Sequence, residues 1–166
     1  PAPGVVPYGI NAELWSDGAY KERFIAIPAK AGEDRRIGVA DARGWEFPDE
    51  TVIVKSFALE REAGNPASRR WVETRFFTKQ DGEWAGYSYQ WNDEQTEAYL
   101  LDSGTTVTFP VTDTQTGATE HSHVIPSRAP TDAERDADRV HAVAAALWAQ
   151  ERRRADAPVL RGIPSG

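Results

Sequence analysis

The sequence predicts an all-β fold, an antiparallel β-sandwich or jelly roll, with one α-helix near the C-terminus. Short runs rich in β-branched and aromatic residues recur, with turn signals between them, up to about residue 125. Apolar residues at helical spacing follow after residue 130. Because strands and helices do not alternate, a parallel α/β fold is not expected. We expect a β-sandwich domain over residues 1–130, a helix over 131–154 packed on it or on a partner, and an irregular tail over 155–166.

Two strands are predicted in the first part of the chain. YKERFIAIP, which begins at Tyr20, ends at a proline, and TVIVKSFALE, which begins at Thr51, is dense in β-branched and aromatic residues. The segment EAGNPAS after the second strand contains Gly, Asn and Pro, which indicate a loop. The stronger strand signal is therefore the second one.

The clearest local signal is a β-hairpin around Asp81-Gly82. This dipeptide favours a two-residue type I′ turn, which places Gln80 opposite Glu83 and sets the pairing of both strands outward from there. One face then carries mostly apolar and aromatic side chains, which predicts the core. Its expected members are Val72, Thr74, Phe76 and Thr78, opposite Trp91, Tyr89, Tyr87 and Ala85.

The other face of the same hairpin carries a polar cluster that is our main candidate for a ligand site. It places Glu73, Arg75 and Phe77 opposite Gln90, Ser88 and Gly86. Arg with amide and hydroxyl groups on a sheet face can bind an acidic sugar, and with a Tyr or His as base the layout would suit a β-elimination lyase. The alternative is structural, because cross-strand polar pairs stabilise sheets by about 0.2–1 kcal/mol each.

A second predicted strand pair carries a histidine pair. TTVTFPVT and ATEHSHVIP flank the turn-like segment DTQTG, and Pro110 favours an edge position for the first strand. His121 and His123 are two residues apart, so on a strand both rings point to the same side and can reach one zinc or copper ion. A third ligand would be needed. The alternative is a pair of polar residues on a solvated strand face.

Exposed tryptophans are candidates for sugar platforms, because an indole ring can stack on the C–H face of a sugar. Trp15, Trp45 and Trp84 lie near predicted strand ends or turns. Trp84 begins the aromatic strand beside the polar cluster, so we include it among the ligand-binding candidates. The alternative is that these rings belong to the core.

The composition excludes several functional classes. Across 166 residues the formal net charge is -7, which argues against a nucleic-acid partner because phosphate binding requires clustered Lys and Arg. No apolar run approaches the roughly 20 residues that span a bilayer, so we expect no transmembrane segment. The chain has no cysteine, which excludes disulfides, Cys-ligated zinc and haem attachment through CxxCH.

The predicted helix begins at a capping box. Thr131 stands at the N-cap position, and Glu134 can bond back to it. Arg152 to Arg154 lie near the expected C-terminus, where positive charge interacts favourably with the helix dipole.

Several motifs occur in an order that resembles a known module. They are NAELWSDGAYKERFIAIP, WEFPDETVIVKSF, VETRFF, WAGYSYQWNDEQTEAYLL and VIPSR. Together they resemble the β-rich module of a largely uncharacterised family of exported bacterial c-type cytochromes, over about Tyr8 to Arg128. The resemblance implies a periplasmic or extracellular setting and supplies no catalytic residues. In the family a CxxCH motif follows; here its positions hold Thr131, Glu134 and Arg135, so no covalent haem is expected.

The sequence therefore favours a non-catalytic binding or accessory module of an exported bacterial protein. Its expected ligand is a carbohydrate or a partner protein domain, bound through Glu73, Arg75, Ser88, Gln90 or Trp84. One alternative is a polysaccharide lyase or hydrolase that uses the Glu73, Arg75 and Gln90 face. Another is a metal-binding protein that uses His121 and His123.

Overall fold

The structure, a computed structural model, describes residues 2, 4–12, 15–16, 18–29, 35–40 and 44–127. The strands are β1 (Val5–Pro7), β2 (Tyr20–Ala26), β3 (Gly38–Ala40), β4 (Gly44–Glu46), β5 (Val52–Glu60), β6 (Arg69–Gln80), β7 (Glu83–Trp91), β8 (Ala98–Leu100), β9 (Thr105–Pro110) and β10 (Glu120–Ile125). A short 3₁₀ helix, Pro66–Ser68, precedes β6.

Six strands form one antiparallel sheet in the order β1-β2-β5-β6-β7-β8, and β3–β4 and β9–β10 form two separate hairpins. The all-β, antiparallel prediction is confirmed. Among the described residues, no helix has the length and apolar character needed to cross a membrane. The predicted helix over 131–154 and the tail over 155–166 lie outside the described residues.

The β6–β7 hairpin forms as its turn sequence predicts. Asp81 and Gly82 both have positive φ, +49° and +83°, as a type I′ turn requires. Gln80 pairs with Glu83, and the register continues without interruption to Glu73 opposite Gln90. The expected polar face is therefore confirmed pair by pair.

A β-bulge changes the other end of β6. Phe57 of β5 faces Glu73, and the next residue, Ala58, faces Trp71, so Val72 is an extra residue without a partner on β5. The prediction that Val72 belongs to the aromatic row opposite Trp91 is wrong. Val72 instead packs on the polar side of the sheet, because the bulge reverses the alternation of side chains at this point.

The two faces of the large sheet are buried in different ways. One face, the aromatic face, carries a buried cluster that draws on four strands: Val52, Val54, Phe76, Ala85, Tyr87, Tyr89, Trp91 and Ala98. On the opposite side, the polar face, Phe109 of β9 packs against Phe57, Leu59 and Val72. The β9–β10 hairpin thus covers one end of the polar face, and the rest of that face carries the candidate site.

Candidate functional site on the polar face

The polar face carries a line of cations that crosses three neighbouring strands. Arg23 on β2 lies opposite Lys55 on β5, and Lys55 lies opposite Arg75 on β6. Ser88 on β7 continues the line beyond Arg75. We call Arg23, Lys55 and Arg75 the cation row. Because neighbouring strands are about 4.8 Å apart, the three side chains leave the sheet side by side.

Burial and like charges both act on Lys55, the middle residue of the cation row. Cations directly opposite each other on neighbouring strands destabilise a sheet. The pKa of Lys55 is lowered from its usual value of 10.5, first by burial and then by the positive charges of Arg23 and Arg75. Glu73 acts in the opposite direction with a smaller effect. Neighbouring positive charges therefore act on Lys55, although the whole chain is acidic.

Tyr8 extends this line at its β1 end. Its backbone N–H donates to the carbonyl oxygen of Arg23 at 3.1 Å, which continues the β1–β2 pairing by one residue. Burial raises the pKa of Tyr8 and the charge of Arg23 opposes this, so the phenol lies within electrostatic reach of the guanidinium. The cation row is therefore flanked by two hydroxyl side chains, Tyr8 and Ser88.

Glu73 is the buried counter-ion of Arg75. The Glu73 side chain is 0% exposed; its Oε2 accepts from Nη2 of Arg75 at 2.9 Å, and its Oε1 accepts from Nε. Nε2 of His123 lies 2.9 Å from the same Oε2. These charge-assisted contacts offset the cost of burying the carboxylate. Glu73 thus joins Arg75 to the β9–β10 hairpin and does not face solvent.

Phe57 supports two members of the cation row. The guanidinium of Arg75 lies 4.6 Å from its ring centroid, and the ammonium of Lys55 lies 4.8 Å from it. Each contact of this kind contributes about 0.5–1 kcal/mol at exposed sites and more when desolvated. The ring of His123 lies 5.8 Å from the same ring. Phe57 and Glu73 therefore hold the cationic side chains in place before any ligand binds.

A line of apolar residues runs beside the cation row. Ile25, Ile53 and Phe77 lie opposite one another on β2, β5 and β6, two residues further along each strand than the cations. Phe77 is 40% exposed and lies opposite Gly86, which has no side chain to cover it. We call Ile25, Ile53 and Phe77 the apolar row.

Trp84 lies beyond the apolar row on the same face. It pairs with Lys79, whose ammonium lies 5.7 Å from the indole centroid. Phe47 meets Trp84 edge to face at 5.6 Å, and Trp45, which is 68% exposed, lies 6.3 Å from Phe47. The structure therefore puts Trp84 on the same side of the sheet as Arg75, within an aromatic group at the turn end.

Ser88 and Gln90 occupy different surroundings. Ser88 lies opposite Arg75 and is 4% exposed. Gln90 lies opposite Glu73 but lines a separate groove of about 520 Å³, between β7, β8 and β9, together with Asp93 and Tyr99. Of the predicted ligand residues, Arg75 and Trp84 lie on the open part of the polar face, Ser88 is buried beside Arg75, and Gln90 belongs to the groove.

The two histidines of β10 point toward the large sheet. His123 is 2% exposed and contacts Glu73, and His121 lies opposite Phe109. Nδ1 of His123 and Nε2 of His121 are buried without a hydrogen-bond partner in the described part of the chain. Within that part, no three His, Cys, Asp or Glu side chains gather as a metal-ligand group. The zinc or copper site stays a prediction.

The sequence reasoning missed the largest part of the cation row. Lys21, Arg23 and Lys55 alternate with other side chains in YKERFIA and VIVKSFALE, so each strand alone indicates a cationic face. What joins them is the pairing of β2 with β5, across a connection of twenty-five residues, 27–51. No short turn sets that register, so no local pattern indicates that Lys55 lies between two arginines.

No family model, curated protein or solved structure matches the chain. The resemblance to exported bacterial cytochromes, and the exported setting it implies, stay predictions. The residues at the expected haem positions, Thr131, Glu134 and Arg135, lie outside the described residues.

Proposed function

We propose that this chain is the non-catalytic β-sandwich binding module of an exported bacterial protein, and that it binds an acidic carbohydrate on the open part of its polar face. The observation that carries the proposal is the cation row, in which Lys55 and Arg75 are partly exposed and Arg23 is buried beside them at 8% exposure. The carboxylate beside them, Glu73, is buried and already committed to Arg75 and His123. An anion from outside would reduce the repulsion between Lys55 and Arg75, which lie opposite each other.

The neighbouring side chains favour a sugar over a small inorganic anion. Phe77 is exposed beside the cation row, and Trp84 lies on the same face. Aromatic rings can stack on the C–H faces of a sugar while Arg and Lys donate to its carboxylate. The exported setting implied by the resemblance agrees with this, since acidic polysaccharides are found at cell surfaces.

A direct binding measurement tests the proposal. Isothermal titration with polygalacturonate should show binding that weakens with added salt, whereas a neutral glucan should not bind. Lys55→Gln removes a charge-assisted contact of about 1.5–3 kcal/mol and should weaken binding roughly ten-fold or more. Arg70→Gln is the matched control, because Arg70 is an exposed cation of β6 on the far side of the bulge.

The expected result is a loss of affinity in Lys55→Gln and an unchanged affinity in Arg70→Gln. Equal losses in the two variants would indicate that net charge, and not the cation row, attracts the ligand. Absence of binding to polygalacturonate, alginate and sulfated glycans alike would overturn the proposal.

A lyase is the second candidate, because Glu73, Arg75 and a histidine converge at one point of the polar face. Elimination requires a base that reaches the substrate. His123 is 2% exposed and bonded to Glu73, so this activity would require the β9–β10 hairpin to lift. Incubation with polyuronates, followed by ultraviolet absorbance of unsaturated products, tests it; product formation that disappears in His123→Gln would favour the enzyme over the binding module.

A further inference from the structure

We propose that the inner side of β10 is a Cu(I) site, with Nδ1 of His123 and Nε2 of His121 as its two ligands. The inference lies beyond the proposed function and does not depend on it. It follows from these two ring nitrogens, which are buried without a hydrogen-bond partner in the described part of the chain. Because a buried polar atom without a partner costs free energy, a ligand that bonds to both nitrogens would stabilise the folded protein.

Glu73 determines which nitrogen of His123 is free to bind a metal. The Glu73 carboxylate is fully buried and accepts from Arg75 through both of its oxygens. A carboxylate can only accept, so Nε2 of His123, at 2.9 Å from Oε2, carries the proton of the neutral ring. The lone pair is then on Nδ1. Metal-binding histidines usually have this arrangement, in which the other ring N–H donates to a carboxylate and so orients the ring.

His121 supplies the second nitrogen from the same side of β10. Side chains two residues apart on a strand point to one side, and their Cα atoms are roughly 7 Å apart. The alternate residues of β10, Glu120, Ser122 and Val124, are exposed, so the two histidines face inward. Two nitrogens on opposite sides of one metal ion are about 4 Å apart, twice the usual metal–nitrogen distance. Imidazole rings that lean toward each other can span this separation.

The surroundings of the two rings favour Cu(I) over zinc. His121 lies opposite Phe109 and His123 lies opposite Val107, and the ring of Phe57 lies 5.8 Å from that of His123. Among the residues that the structure describes, no three His, Cys, Asp or Glu side chains form a metal-ligand group. Structural zinc requires four ligands. Cu(I) forms stable linear complexes with two imidazole nitrogens, so it needs no third side chain.

The neighbouring charges also favour a monovalent ion. Arg75 already pairs with Glu73, the carboxylate that contacts His123. Lys55 adds a further positive charge, because its ammonium lies 4.8 Å from the same Phe57 ring on which His123 packs. A doubly charged ion at the histidines would meet twice the repulsion from these cations that Cu(I) meets.

Titration of the untagged chain with Cu(I) under nitrogen, in competition with a chromogenic Cu(I) chelator, tests the inference. The sequence has no Cys or Met, so thiolate and thioether ligands cannot account for Cu(I) binding. The unaltered chain should bind one Cu(I). His121→Ala should weaken binding about a hundred-fold or more.

Two further variants control for folding and for histidine content. His123→Gln should weaken binding to a similar extent, although its amide can still donate to Glu73 and so keep the contact with β6. His141→Ala, which changes the third histidine of the chain, should bind Cu(I) as the unaltered protein does. Circular dichroism and thermal unfolding establish that each variant is folded.

Three results would overturn the inference. The first is absence of Cu(I) binding by the unaltered chain. The second is equal Cu(I) affinity in the unaltered chain and in folded His121→Ala. The third is Zn²⁺ binding as tight as Cu(I) binding, which would contradict the choice of metal. X-ray absorption spectroscopy of the Cu(I)-loaded chain should show two nitrogen neighbours, and three or more neighbours would contradict the two-ligand site.

Discussion

Gln95 explains the acidic loop NDEQT that follows β7. Its Oε1 accepts from the backbone N–H of Trp71 at 2.7 Å, and its Nε2 donates to the carbonyl oxygen of Trp71 at 3.0 Å. The side chain therefore continues the β6–β7 ladder next to the bulge, where the backbone pairing has ended. Asn92 closes the loop by accepting from the N–H groups of Thr96 and Glu97. The loop is a structural clamp on β6.

The first prediction concerns this clamp. Gln95→Glu replaces the Nε2 donor with a carboxylate oxygen facing the Trp71 carbonyl, so it should lower the free energy of unfolding by about 1–3 kcal/mol. Glu94→Gln, a change of an exposed neighbour in the same loop, should have little effect. Urea denaturation measures both. Equal stability of the two variants would contradict the clamp.

The second prediction concerns Glu73. Glu73→Gln keeps the size of the side chain but removes the charge that holds Arg75 and His123, so it should destabilise the fold by about 3–5 kcal/mol. Glu60→Gln, which removes a partly exposed carboxylate paired with Arg69, should cost about 0–1 kcal/mol. Chemical denaturation compares the two, and a small loss in Glu73→Gln would show that the buried contact contributes little.

At this scale the sequence predicted part of the site. Arg75, Ser88 and Glu73 were placed together because the Asp81-Gly82 turn sets their register from a short distance. The role of Glu73 could not be predicted, because its burial comes from His123 and Phe57 on other strands. Lys55 was missed for the same reason: its neighbours depend on a pairing that no turn determines.

At the scale of elements, the β9–β10 hairpin decides which part of the polar face stays open. The hairpin begins directly after Gly104, a position that leaves no room for a side chain. A Cβ added there would lie 2.7 Å from the backbone nitrogen of Ser127 and 3.2 Å from the carbonyl oxygen of Ile125. The end of β10 therefore approaches the start of β9 closely. The sequence predicted this strand pair, but not the face on which it packs, because apolar alternation does not identify the partner of a hairpin.

The third prediction tests this close approach. Gly104→Ala forces the backbone of β10 away from β9 and should lower the unfolding free energy by about 1–3 kcal/mol. Gly9→Ala is the matched control, because nothing lies within 4 Å of an added Cβ there. Thermal unfolding of the two variants should differ in midpoint, and equal midpoints would show that the Gly104 contact adapts at little cost.

At the scale of the molecule, the charge of Lys55 is expected to cost some stability, because it lies opposite Arg23 and Arg75. Lys55→Met keeps the length of the side chain and its packing near Phe57 while removing the central charge. The fourth prediction is that it raises the unfolding free energy by up to about 1 kcal/mol and lowers polygalacturonate affinity at least ten-fold. Unfolding and titration experiments on Lys55→Met test this. If stability and affinity both fell in the variant, Lys55 would have a structural role and not a ligand-binding one.

The fifth prediction follows from the lowered pKa of Lys55. At pH values between the lowered pKa and the usual 10.5, Lys55 is protonated in the unfolded chain but largely deprotonated in the folded protein. Because the unfolded state binds more protons in this window, the unfolding free energy should rise with pH. Anion affinity should fall across the same window, because the middle of the cation row becomes neutral. Burial also raises the pKa of Tyr8 from its usual value of 10.0, and this phenol is the same in a Lys55→Arg variant.

Lys55→Arg isolates this effect, because an arginine at the centre of the row keeps its charge throughout the window. All other ionisable groups are the same in both proteins, so their contributions cancel in the comparison. Titration with trigalacturonate at several alkaline pH values should show affinity falling in the unaltered protein and nearly constant in Lys55→Arg. Parallel curves for the two proteins would mean that a group other than Lys55 sets the pH dependence.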